Sequence, residues 1–71
     1  MRLESELDRL GIKYTSENIN GNRFIRVGNI RVLISAKSVN VSTNDKNYTL
    51  PPTLNSLKYI LEVIKNDYKG N

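Results

Sequence analysis

Between Gly11 and Thr43 stand five cations, Lys13, Arg23, Arg26, Arg31 and Lys37, against one acid, Glu17, and the ring of Phe24 lies among them. Guanidinium and ammonium groups along a short segment neutralise phosphates, and an aromatic ring between them stacks on a base, so the pattern suits an anionic polymer. No other residues offer comparable chemistry. The chain has no Cys and no His, which removes disulfides, thiolate ligands, cysteine nucleophiles, the usual zinc sites and imidazole catalysis. The carboxylates Glu4, Glu6, Asp8, Glu17, Asp45, Glu62 and Asp67 make no spaced pair for metal or acid–base work. Lysine is the sole base available to activate a Ser or Thr hydroxyl, and Gly21, Gly28 and Gly70 build no phosphate loop. The expectation is a protein that binds and does not catalyse, with no cofactor, no metal and no catalytic residues.

The net charge of +4 resides in that middle segment, since the first ten residues are slightly acidic and the stretch from Asn44 onward nearly balanced. A chain of 71 residues is expected to form one domain over 1–71. A core of that size rarely supplies more than about 3–5 kcal/mol without metal, disulfides or self-association. With the first two aids excluded, a well-packed monomer or a homo-oligomer remains. Val32-Leu33-Ile34 is far shorter than a membrane span, and Met1-Arg2-Leu3-Glu4 opens a charged amphipathic stretch, so a cytoplasmic protein with no membrane partner is expected. Ten asparagines suggest an AT-rich genome, and a phage or mobile-element origin is part of the expectation.

The elements that position the cations follow from periodicity. Leu3, Leu7 and Leu10 share one stripe of a helix over about 2–10, with Gly11 at the left-handed position after it and Ile12 folding back on the last turn. From Ile12 to Leu50 the period falls to two. Asn20-Gly21 predicts a type I′ hairpin and Gly28-Asn29 a similar corner. Strands are expected at about 13–19, 23–27, 30–36, 38–43 and 47–50, with Asn44-Asp45-Lys46 as the last turn. Residues 30–43 read either as one bent strand or as two strands joined at Ala36-Lys37-Ser38. Pro51-Pro52 stops the sheet, and Thr53 or Asn55 caps a helix over about 53–68. In that helix Leu54, Leu57, Ile60, Leu61, Ile64 and Tyr68 form the apolar stripe, with Leu61 at its centre and Tyr59 and Val63 off it. Glu62 is placed to pair with Lys58 or Asn66. The fold class is α+β, in the order α-β-β-β-β-α, an antiparallel meander covered by the C-terminal amphipathic helix.

Alternation separates the two faces of the sheet. Tyr14, Ile25, Val27, Ile30, Val32, Ile34, Val39, Val41, Tyr48 and Leu50 are expected toward the helix. Lys13, Thr15, Phe24, Arg26, Arg31, Leu33, Lys37, Asn40, Ser42 and Thr49 fall on the other side, and Lys13, Phe24, Arg26, Arg31, Leu33 and Lys37 are the candidate binding face. Besides a plain solvated surface, two readings stand for it. In one, Phe24 and Leu33 are covered by the first helix or by a second copy or another protein, so the chain is a small self-associating adaptor. In the other, the cations and Phe24 bind nucleic acid.

The order helix, meander, helix is similar to that of double-stranded-RNA-binding domains. That family carries phosphate-binding lysines at the start of its final helix, where this chain has Pro51-Pro52-Thr53-Leu54-Asn55-Ser56. The stretch Lys46 to Leu50, a proline, then Leu57-Lys58 resembles the strand-to-helix junction of small coactivator-type domains, and implies dimerisation and single-stranded DNA binding.

Overall fold

A computed structural model describes residues 2–69, and of 68 and 69 the backbone only, so Tyr68 and its place on the expected stripe lie outside the described side chains. The chain forms α1 (Leu3–Leu10), β1 (Thr15–Ile19), β2 (Asn22–Val27), β3 (Ile30–Ile34), β4 (Val39–Ser42), β5 (Asn47–Leu50) and α2 (Leu54–Lys69). The strands pair antiparallel in sequence order, β1-β2-β3-β4-β5, and the small α+β domain is the expected meander with a closing helix. Residues 30–43 are two strands, making five in all.

Each connection has its own physical cause. Asn20 and Gly21 take φ of 52° and 84°, the two positive values a type I′ turn requires, and Asn18 Oδ1 accepts the Gly21 amide at 3.1 Å. At the next corner only Gly28 has positive φ, 57°, which is the pattern of a type II′ turn. The β3–β4 turn, through Ala36 and Lys37, uses no positive φ. It is held by Ser35, whose amide donates to Ser38 O at 2.9 Å and whose hydroxyl donates to the same oxygen at 3.0 Å. In the β4–β5 turn Thr43 Oγ1 accepts the amides of Asp45 and Lys46.

Gly11 closes α1 at φ 72°, with its amide and that of Ile12 bonded to Asp8 O and Leu7 O, a Schellman ending that turns Ile12 into the core. Ile12 thereby takes the place expected for Leu10, which the chain reversal leaves 38 % exposed. Thr53 caps α2: its Oγ1 accepts the Ser56 amide at 3.2 Å.

One cluster holds Leu3 and Leu7 of α1, the inward residues Ile25, Val27, Ile30, Val32, Val39 and Val41, and Ile60, Leu61 and Ile64 of α2. Tyr14, Ile34, Tyr48 and Leu50 pack against it, so all ten inward assignments hold. α2 differs from the expectation in its details. Its most buried side chains are Ile60 and Ile64, which makes them and not Leu61 the centre of the stripe, and Val63 packs against the core while Leu54 is 53 % exposed. Leu54 opens the first turn, and Ser56 and Ile60 point from their turns to the sheet instead. Glu62 pairs with Lys65 at 3.1 Å, three residues on, and not with Lys58 or Asn66.

Both helices lie on the same face of the sheet. Arg23, whose neighbours Ile25 and Val27 point inward, reaches Glu4 of α1 at 2.5 Å, and Ser16 Oγ donates to the same carboxylate oxygen. The expectation that α1 covers Phe24 and Leu33 is therefore wrong, because the carboxylate that anchors α1 and the leucines that bury it both face the other side.

Candidate binding face

Two-residue turns fix register without slack. The Asn20-Gly21 turn sets Ile19 opposite Asn22 and hence Thr15 opposite Arg26. The Gly28-Asn29 turn sets Val27 opposite Ile30, and so puts Arg26 directly opposite Arg31. The outer face then reads as rows running across the strands. One is Thr15, Arg26, Arg31, Ser42, Asn47, and the next is Glu17, Phe24, Leu33, Asn40, Thr49. Thr49 Oγ1 closes the second row with a 2.8 Å bond to Asn40 Oδ1.

Arg26 and Arg31 are both exposed, and among the described residues neither makes an ion pair, the pairs being Glu4 with Arg23, Glu6 with Arg9 and Glu62 with Lys65. Like charges directly opposite on one face are destabilising by an amount of order 0.2–1 kcal/mol. The guanidinium of Arg26 instead sits 5.6 Å from the centroid of the Phe24 ring, within cation–π range. Phe24 is half-buried beneath it and paired with Leu33.

Three of the six candidate residues converge electrostatically. Lys13 shares a shallow depression with Thr15, Arg26 and Gly28, so Lys13, Arg26 and Arg31 gather at one end of the sheet. Phe24 and Leu33 occupy the middle. Lys37 stands in the β3–β4 turn, past the end of β3 and at the opposite end of the strand from Arg31. Arg23, the remaining cation of the segment, is bonded to Glu4 on the helix-covered side. Sequence reading left out Ile19, which is 46 % exposed. The signal was present: Ile19 has the parity of Thr15 and Glu17, and lies diagonal to Phe24.

Electrostatics elsewhere on the surface serve the fold. Burial pushes the Glu4 carboxyl up, but its backbone hydrogen bond and Arg23 outweigh this and hold it below the ordinary carboxylate value. The Tyr14 phenol is raised by burial and by its 3.2 Å bond to Asp8, a link from α1 to the start of β1. Tyr48 is raised by burial and by Tyr59, whose ring meets it edge-on at 6.1 Å. A hollow of about 400 Å³ between the Gly28-Asn29 corner, the β4–β5 turn and α2 is lined by Asn29, Asn44, Asp45, Asn66 and Asp67 among others. Among the described residues no group of three carboxylates gathers there or elsewhere to hold a metal. No helix among them is long and apolar enough to cross a membrane.

Comparison of the chain with protein-family models, with curated proteins and with solved structures finds no match. The face is accordingly read from its own geometry.

Proposed function

We propose that the chain is a small non-enzymatic binding module whose open sheet face engages an anionic polymer, single-stranded nucleic acid. The observation that carries this reading is the Arg26–Arg31 pair, two cations held side by side by turn geometry and left without a carboxylate. Such a pair is mildly unfavourable in isolation and becomes favourable when a phosphate lies between its members. Phe24, next to it and uncovered by either helix, supplies a ring on which a base stacks, worth about 1–3 kcal/mol. The alternative of protein contact through Phe24 and Leu33 is supported by their half-buried, uncovered pairing. Two copies stacked face to face would oppose clusters of the same sign, which disfavours this face as a homodimer interface.

Fluorescence anisotropy with a short single-stranded oligonucleotide tests the reading. Contacts from Lys13, Arg26 and Arg31 give a slope of log affinity against log salt of about −2, or a loss of about twentyfold between 50 and 200 mM. Arg26→Gln with Arg31→Gln is expected to weaken binding about tenfold at 50 mM and to flatten the slope to about −0.7. A parent that does not bind above background at 50 mM removes nucleic acid as the partner.

A further inference from the structure

The two edges of the sheet are built differently. At the β5 edge only four residues pair, the β4–β5 turn carrying Asp45 and Lys46 precedes them, and Pro51 follows. Pairing of Thr43 with Lys46 across that turn directs the backbone groups of Tyr48 and Leu50 toward β4, so Asn47 and Thr49 alone face outward, a short edge of the protected kind. β1 lacks these devices. It has five residues, none of them proline or lysine, in unbroken register with β2. All five are exposed, including Ser16 and Asn18, whose side chains point to the helix-covered side. Because the Asn20-Gly21 turn makes Ile19 and Asn22 a hydrogen-bonded pair, Thr15, Glu17 and Ile19 bond to β2. The N–H and C=O groups of Ser16 and Asn18 are then turned outward.

We infer that the β1 edge is a docking site for β1 of a second copy of this chain, paired antiparallel about a twofold axis at Ser16. Charge selects both the partner and the register. A pairing centred on Glu17 would set the two glutamates directly opposite each other, which is destabilising. Centring on Ser16 moves the two glutamates apart to a diagonal of about 7–8 Å and places Glu17 of one copy opposite Thr15 of the other and diagonal also to its Lys13, while Arg26 follows Thr15 in the same row. The acid of each copy thus lies against the basic end of its partner, and Tyr14 to Asn18 complete the hydrogen-bonded ladder. The result is a ten-stranded sheet whose open face is continuous. The inference does not depend on nucleic-acid binding and stands or falls separately.

Cysteine cross-linking tests it in a chain that has no cysteine of its own. At an antiparallel hydrogen-bonded pair the Cα atoms are about 5.5 Å apart, within disulfide range. Ser16→Cys is expected to give a covalent dimer under mild oxidation, well ahead of Glu17→Cys and Asn18→Cys. Sedimentation of the parent at 50–100 µM should show a dimer that Ser16→Pro dissociates at least tenfold with unchanged circular dichroism, since proline there removes an outward N–H and one long 3.4 Å bond to Glu4, which Arg23 still holds. A monomeric parent at 100 µM, a folded Ser16→Pro that still dimerises, or cross-linking led by Glu17→Cys would each overturn the proposal. Were Ser16→Pro to unfold, the cross-linking order alone decides.

Discussion

Phe24 and Ile25 are adjacent in β2, yet one lies half-buried under an arginine in a face that nothing covers, and the other is fully buried beneath two helices. The same contrast separates Leu33 from Val32 and Asn40 from Val41. One face of this sheet holds the molecule together, while the other is free to be chosen for what it contacts. Stability is therefore encoded in alternate residues of the same strands, and the residues between them are the ones proposed to make contacts.

The contrast is open to attack from both sides. The largest effect is expected at Ile60→Ala, where loss of a fully buried side chain under the inner face should cost about 2–5 kcal/mol, most of the stability of so small a domain. Urea denaturation measures it, and a loss below 1 kcal/mol would mean that α2 does not close the core.

A smaller effect is expected at the anchor of α1. The Glu4 carboxyl is held below its ordinary value near 4.5 in the folded chain, so its contribution is present above that pH and is lost as pH falls through the lower, folded value. Glu4→Gln should cost about 1 kcal/mol at pH 7, below the usual range for charged hydrogen bonds because Arg23 is one-third exposed and screened by solvent. The same variant should show a shallower decline in melting temperature between pH 5 and 3. An acid limb identical to the parent's would sever α1's anchor from this carboxylate.

The smallest effect should come from Leu33→Thr on the outer face, within about 0.5 kcal/mol of the parent by thermal melting, as for surface substitutions generally. A cost comparable to that of Ile60→Ala would show that the outer face is covered after all.

The sheet was legible in the sequence where local chemistry decides the outcome. Asn20-Gly21 demands positive φ and so announced both the hairpin and the register that follows from it, and with the Gly28-Asn29 corner and the alternation within each strand the inner face could be assigned by parity. The Ala36-Lys37 turn was ambiguous because nothing in its own backbone is unusual. It is held by the Ser35 hydroxyl bonded to the Ser38 backbone, and serine is common in strands and loops alike. The side taken by α1 was not legible either. Leu3 and Leu7 declare an apolar stripe but not which face of a sheet receives it. The deciding contact joins Glu4 to Arg23 across nineteen positions, and it removes from the basic segment a cation that composition alone had counted as available. For the candidate face, spacing identified Arg26 and Arg31 as neighbours, but Lys37 was included on charge although the turn carries it to the far end.

The core has a further consequence during synthesis. Leu3 and Leu7 emerge from the ribosome before Ile60 and Ile64, which come only with α2, and all four belong to one cluster. Each hairpin of the meander can pair as it appears, since every strand neighbours the one before it. The inner face has no full cover until the sixteen residues of α2 have been added, which takes about 1–3 s at ordinary elongation rates. For that interval the nascent chain displays a row of isoleucine and valine side chains to the cell's folding machinery, and its yield should depend on how quickly α2 arrives.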